Sequence, residues 1–462
     1  MIRFYNTLSR RIEPFEPLEE GKVGLYTCGP TVYDVAHIGN FRTFLWEDLL
    51  KRFLRWEGFE VRHVKNLTDI DDKTISRAAE ERIPVSELTQ RYTDAFFEDL
   101  ETLNCQPADL FPRATEHIPD MLALVGELEA KGLTYVSQGS VYFRIAGLPE
   151  YGCLCTVDLD GNLDGARIDS DEYEKESARD FVLWKAAKEG EPSWDSPWGK
   201  GRPGWHLECS AMSRKYLGEV FDIHTGGVDL VFPHHENEIA QSRGASGKAP
   251  VRYWLHAEHL LVEGEKMSKS KGNFHTPRDL YDRGVDPMSL RYLLLSMSYR
   301  KQLNFTFDGL DAAKAALGRV RDFTVRLKDK TLTSGVNPEL KGILEGHAHA
   351  FREALRDDLN TAAALAALFD AIRAANTAMD AGELTEDAHE EAGTLINAFT
   401  DVFGVPAWET VLIPSEIEVL IEKRQQARKK KDFAEADRIR AELKSRGILL
   451  EDTPQGVRWK KA

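Results

Sequence analysis

The chain has 462 residues, 42% of them hydrophobic and 29% charged, with a formal net charge of −16. That length exceeds what one compact core usually covers, so about two to four domains are expected. The composition is that of an ordinary globular protein, and the acidity speaks against nonspecific coating of nucleic acid.

No apolar run approaches the ~20 residues of a membrane span. The first residues, "MIRFYNTLSRRIEPFEP", lack the apolar centre of a signal peptide, so a cytoplasmic protein with no membrane partner is expected. Five cysteines (Cys28, Cys105, Cys153, Cys155, Cys209) do not make a disulfide framework in so long a chain. They are buried hydrophobes, redox groups or metal ligands.

In chain order, "VGLYTC" (23–28) predicts a short buried strand broken at Gly29-Pro30. A helical apolar pattern begins near Phe41 and runs through Phe44, Leu45, Leu49, Phe53 and Leu54. "FEVRHVKNLTDIDDK" then predicts a second strand entering an acidic loop, which completes a parallel βαβ unit. Residues 91–135 are largely helical in pattern. From about 136 to 204 short strand-like pieces, "SVYFRI" and "DFVLWK", alternate with acidic and Pro/Gly/Trp-rich loops, as an insertion would.

The α/β pattern resumes with "HLECSAMSRKYLG" as a helix and "FDIHTGG" as a strand into a glycine turn. "FPHHENEIAQ" opens another helix, and "VRYWLHAEHLLVEG" is a further strand leading to a lysine-rich loop. Beyond about 310 the chain is helical and alanine-rich, and a linker, "GVPAWETVLIPS", precedes the tail. Residues 421–462 hold 13 Lys/Arg against 7 Asp/Glu, a local +6 that leaves −22 for the rest. Such a segment is either a solvated helix pair capping the bundle or a phosphate-seeking module.

Three groups of residues carry chemistry. In "CGPTVYDVAHIGNFRTF" a glycine-proline turn follows a strand, and His37 and Gly39 sit where a long helix begins. A helix N-terminus offers unsatisfied N–H groups to phosphate, although an ordinary turn with Asn40 as N-cap reads as well. In "EGEKMSKSKGNF", Lys266, Lys269 and Lys271 with Ser268 and Ser270 form a donor-rich loop suited to a polyphosphate, or simply a solvated turn. Finally, His234 and Glu238 fall on one helix face. With Cys28 and Cys209 they make two thiolates, an imidazole and a carboxylate, all zinc-ligand types. Spacing alone leaves buried thiols and an ion-paired helix end equally open.

The first two segments resemble the His-Ile-Gly-His and Lys-Met-Ser-Lys-Ser signatures of class I aminoacyl-tRNA synthetases. The second signature is complete at 266–270, whereas Asn40 stands where the first expects histidine. Asparagine still donates a hydrogen bond but is never cationic. The blocks "YTCGPTVYD", "NLTDIDDK", "FVLWK", "EPSWDSPWGKGRPGWHLECSAM", "FDIHTGGVDLVFPHHENEIAQS" and "EKMSKSKGNF" resemble the cysteinyl-tRNA synthetase family in order.

That resemblance implies an α/β fold: a Rossmann-like parallel-sheet catalytic domain with an insertion, then an α-helical bundle and a small basic C-terminal domain. The expected divisions are catalytic halves at 1–118 and 201–250, a connective insertion at 119–200 and a lysine-loop and stem-contact region at 251–310. A tRNA-binding bundle at 311–405 and an anticodon-binding domain at 415–462 follow.

The resemblance also implies zinc on Cys28, Cys209, His234 and Glu238, one ion per chain, holding the substrate's sulfur. It places Thr31, His37, Gly39, Asn40, Asp229, Lys266, Met267, Ser268, Lys269 and Ser270 at ATP, which arrives with magnesium. Of these, His37, Asn40, Lys266 and Lys269 would carry catalysis. Gly29, Thr68 and Trp205 would face L-cysteine, and cysteine tRNA would be the acceptor for a monomeric enzyme. With four protein ligands, either the ion becomes five-coordinate with substrate or Glu238 is loosely held. Two alternatives remain at this point: a mycothiol-pathway-type cysteine ligase with an amino-sugar acceptor, and a non-catalytic zinc- or RNA-binding protein.

Overall fold

The computed structural model describes residues 1–155, 179–268, 271–328, 332–408, 415–430, 432–446, 448–453 and 456–461. It divides into two compact units, Met1–Ala407 and Trp408–Ala462.

At the centre of the larger unit is a four-stranded sheet in the order Val251–Ala257, Phe221–Gly227, Lys22–Thr27, Glu60–Lys65, all strands parallel. Parallel strands are covered on both faces and therefore read as near-continuous apolar runs. Leu25, Tyr26, Ile223 and Leu255 are fully buried.

The chain enters this sheet at Lys22–Thr27, moves to Glu60–Lys65 on one side, and later returns to Phe221–Gly227 on the other. The strand order therefore reverses between Lys22–Thr27 and Phe221–Gly227. A doubly wound sheet opens a crevice at the carboxyl ends of its strands at such a point. Cys28 and Gly29 leave one of these strands there, and Gly226 and Gly227 end the other.

Gly29 is required by a close approach: a Cβ on it would lie 1.7 Å from the Asn66 carbonyl oxygen. Helix Ile38–Trp56 crosses between the first two strands and buries Phe41, Leu45, Leu49 and Phe53 against the sheet. It begins three residues earlier than its apolar pattern suggests, because His37 is the N-cap and Asn40 is the third helical residue.

The insertion contains an antiparallel sheet, Thr134–Ser137, Ser140–Phe143, Phe181–Ala186, Gly201–Pro203. Its core includes Val141, Leu183 and Trp184, with Phe143 and Phe181 stacked at 5.0 Å. Asp72, at the start of helix Asp72–Glu81, receives Arg202 and, at 2.6 Å, Lys185, and so ties this sheet to the α/β core.

After the parallel sheet, Leu260–Val262 pairs antiparallel with Glu265–Lys266 and parallel with Leu303–Phe305, which fixes the base of the lysine loop. Helices Phe307–Lys328, Pro338–Arg356, Thr361–Ala381 and Glu386–Phe403 form the helical domain. Fully buried Arg291 joins it to the catalytic core: its guanidinium meets Asp48 and donates to Phe403 O (2.6 Å) and Leu103 O (2.8 Å). The α/β expectation with an insertion and a helical bundle is borne out.

The smaller unit has helices Ser415–Lys429 and Phe433–Ser445 and a hairpin, Ile448–Thr453 with Gly456–Lys461. Ile417, Ile421, Ile439, Leu443, Ile448 and Leu450 form its core.

Candidate active site and metal centre

Helix Glu236–Ser246 is preceded by a π turn, Val231–His235, that brings two histidines to the crevice. Cys28, His234, His235 and Glu238 are all buried, and each offers a ligand atom within 4.8 Å of the others. Cys209, on helix Trp205–Leu217, is buried in the same cluster as Cys28, and the Cys28 and His234 side chains both act on its thiol. Four candidate ligands thus meet within that range, Cys28, His234 and Glu238 of the expected set with His235 in addition.

The surrounding side chains aim these groups. His224 Nε2 donates to Glu238 Oε2 at 2.9 Å, which turns Oε1 toward the cluster. His206 Nδ1 engages His234 Nδ1 at 2.9 Å, so His234 presents Nε2. His235 Nδ1 meets His256 Nε2 at 2.8 Å and presents Nε2 to the Cys28 sulfur at 3.3 Å. Outer partners of this kind fix ring orientation in metal sites.

Glu238 Oε1 lies 3.1 Å from His234 Nε2, yet it is buried with no hydrogen-bond partner. Two atoms that are close but not aimed at each other, beside a thiol, are arranged as ligands of a common cation would be.

The electrostatics favour anionic donors. Burial alone would raise the Glu238 carboxyl, but His224 and His234 outweigh it and hold it near 2. The hydrogen bond from Cys28 brings the Cys209 thiol down to about 6 against the effect of burial. Cys28 itself is pushed up, first by burial and then by Cys209, so the pair readily supplies one thiolate.

Of the residues expected to face L-cysteine, Trp205 and Gly29 adjoin this cluster. The Trp205 ring is centred 4.3 Å from the His234 ring. Thr68 N donates to Pro30 O, and Val32 N to Thr68 O, both at 3.1 Å, so residues 30–32 and 68 run side by side and Thr31 pairs with Thr68. Gly29 N donates to Asn66 Oδ1 at 2.9 Å.

The two signature segments also meet. A Cβ on Gly39 would stand 3.1 Å from Met267 Cε, and Ile38 N donates to the His275 carbonyl at 3.0 Å. Lys266 is an exposed strand residue, and Ser268 N donates to Asn273 Oδ1 at 2.8 Å. Asp229 is exposed in the turn Val228–Leu230 that follows Gly227. Lys269 and Ser270 lie outside the described residues.

Sequence reasoning did not single out His206, His224, His235 and His256. His224 carried a readable signal, since a histidine at the centre of a fully buried strand needs a partner. His206 and His256 acquire their roles only through contacts between distant segments.

Comparison with known proteins fits this geometry. Residues 14–315 match the family model "tRNA synthetases class I (C) catalytic domain", residues 350–407 a DALR domain, and residues 410–459 the "Cysteinyl-tRNA ligase anticodon binding domain". A methionyl-tRNA synthetase from Mycobacterium tuberculosis shares the fold at 16% identity, with a TM-score of 0.63 over 90% of this chain and 96% of that one. Fold and crevice are therefore those of a class I aminoacyl-tRNA synthetase.

The cysteine–tRNA ligase of Solibacter usitatus is 52% identical over 100% of this chain and 99% of its own length. That of Brachyspira hyodysenteriae is 49% identical, again over 100% and 99%. The chain belongs to the cysteine–tRNA ligase family. It is an ATP-dependent ligase, and the full-length match with an anticodon-binding domain favours a tRNA acceptor over an amino sugar or a non-catalytic role.

Proposed function

We propose that Cys28, Cys209, His234 and Glu238 hold one zinc ion, that the sulfur of L-cysteine meets this ion, and that the two signature segments carry ATP. Zinc, when bound, takes the substrate thiol as a soft thiolate, for which a serine hydroxyl is a poor substitute. Shape alone separates side chains of such similar size by only ~1–3 kcal/mol. The observation that carries this reading is buried Glu238 Oε1, which stands 3.1 Å from His234 Nε2 and close to Cys28 and His235 yet makes no hydrogen bond.

His224 and His206 keep the Glu238 and His234 ligand atoms pointed inward, and His235 supports the Cys28 sulfur. Cysteine's carboxylate oxygen forms a bond to the α-phosphorus of ATP as the bond to pyrophosphate breaks, giving cysteinyl-adenylate. No protein nucleophile takes part, so the residues orient substrates and stabilise charge.

His37, Gly39 and Asn40 place the N-terminus of helix Ile38–Trp56 at the phosphates. Thr31 flanks the same turn, and Asp229 lies toward the ribose. Lys266, Met267 and Ser268, with Lys269 and Ser270 of the same signature, bind the β- and γ-phosphates of ATP, which arrives with magnesium. Gly29, Thr68 and Trp205 line the cysteine pocket. The terminal adenosine hydroxyl of cysteine tRNA then attacks the acyl carbon, and AMP leaves. Residues 415–462 bind that tRNA.

Metal analysis of the purified chain and of Cys209→Ser tests this reading. One zinc per wild-type chain is expected, with loss of zinc and of cysteine activation in the variant while ATP affinity is kept. Zinc-free protein with full activity would overturn it.

A further inference from the structure

On helix Trp205–Leu217, residues 205, 208 and 209 share one face, being related as i, i+3 and i+4. Trp205 touches His234 and Cys209 is buried in one cluster with Cys28, so this face looks onto the candidate metal ligands. Between them stands Glu208, a carboxylic acid that is 0% exposed.

One oxygen of Glu208 is accounted for: Thr68 Oγ1 donates to Oε2 at 2.9 Å. The other, Oε1, is buried with no hydrogen-bond partner. Among the described residues no ion pair reaches Glu208. The nearby carboxylates of Asp69 and Asp71 are engaged elsewhere, Asp69 with Thr115 and Asp71 with Thr74 at a helix start. For an ionised carboxyl, an idle buried oxygen in acidic surroundings calls for a cation beside it.

The hydrogen bonds leading to Glu208 have one direction. Gly29 N–H donates to Asn66 Oδ1, which leaves Asn66 Nδ2 as the donor to Thr68 Oγ1 at 3.2 Å. The Thr68 hydroxyl has a single proton, and it goes to Glu208. With Glu208 ionised, the chain Gly29, Asn66, Thr68, Glu208 ends on acceptors only: the second Thr68 lone pair and Glu208 Oε1. It begins beside Cys28 and ends beside Cys209. A ligand held there by its sulfur, with a cationic donor three bonds from that sulfur, supplies what the chain lacks.

We propose that Glu208, with Thr68 Oγ1 as second acceptor, binds the α-ammonium group of cysteine. The assignment rests on the reading that substrate sulfur meets the Cys28–Cys209 cluster.

The test compares Glu208→Gln and Thr68→Val with wild type in three measurements. These are the cysteine KM in ATP–pyrophosphate exchange, the inhibition constant of 3-mercaptopropionic acid (cysteine without its ammonium group), and zinc content. Wild type is expected to favour cysteine over 3-mercaptopropionic acid. In Glu208→Gln the cysteine KM should rise at least tenfold, while 3-mercaptopropionic acid inhibits as before and zinc and the ATP KM are unchanged. Thr68→Val should move the same way by a smaller factor.

An unchanged cysteine KM in Glu208→Gln overturns the assignment alone. So does equal weakening of both ligands, or loss of zinc, since Glu208 would then act on the fold. Absence of cysteine-dependent exchange in wild type overturns the underlying reading as well.

Discussion

His37 and Asn40 hold each other at the start of helix Ile38–Trp56. The His37 backbone N–H donates to Asn40 Oδ1, and the Asn40 backbone N–H donates to His37 Nδ1, both at 3.1 Å. Because Nδ1 accepts, a neutral His37 ring carries its proton on Nε2. The asparagine that departs from the class I signature thus completes a reciprocal cap and fixes the imidazole tautomer. Its carbonyl is committed to the helix, and its amide nitrogen remains the group able to donate.

Asn40→Ala should therefore lower stability by about 1 kcal/mol, a typical loss for a capping side chain. It should also slow adenylate formation, because His37 loses its anchor. Asn40→Asp keeps the acceptor oxygen and should retain the stability. Thermal unfolding and single-turnover activation check both, and wild-type behaviour of Asn40→Ala in both assays would show that the cap is incidental.

A second expectation concerns the joint between the catalytic core and the helical domain. Burial would raise the Asp48 carboxyl, but Arg291 and Arg52 outweigh it and hold it below the usual range. A carboxyl depressed in the folded state contributes stability above its unfolded value of ~3.9, lost as pH falls through the folded value. Asp48→Asn leaves the Arg291 charge buried without its partner, which should cost about 3–5 kcal/mol near neutrality. The gap between wild type and variant, measured by denaturant unfolding, should narrow below pH 4. A gap independent of pH would mean that the Asp48 charge does not matter.

The third expectation follows from the division at residue 407. Removing residues 408–462 should leave cysteine-dependent ATP–pyrophosphate exchange nearly intact. Aminoacylation of cysteine tRNA should drop by about tenfold or more, and the remaining activity should respond less to salt, since fewer phosphate contacts remain. Undiminished charging by the truncated protein would reduce the basic tail to a structural cap.

What could be read in the sequence followed from local pattern. Apolar runs such as "VGLYTC" and the periodicity after Phe41 gave the strands and helix of the α/β core, because burial imposes those periods directly. Cys28, Cys209, His234 and Glu238 stood out by ligand type. His37 as N-cap was not legible, since histidine caps a helix here only because its ring can accept from Asn40. Nor was Glu208: between His206 and Cys209 it reads as one more helical glutamate until Thr68, 140 positions away in the chain, is seen to donate to it. The five-histidine surround likewise depends on segments 206, 224, 234–235 and 256 meeting at one strand reversal.

On the proposed reading, a metal at Cys28, Cys209, His234 and Glu238 makes this ligase selective for cysteine. The most direct measurement is ATP–pyrophosphate exchange with cysteine and with serine, on zinc-loaded protein and on protein stripped by chelator and then reloaded. On that reading, robust exchange is expected with cysteine only, with its loss on stripping without loss of ATP binding and its recovery with zinc. Equal cysteine-dependent exchange in stripped and loaded protein, with serine still rejected, would contradict it.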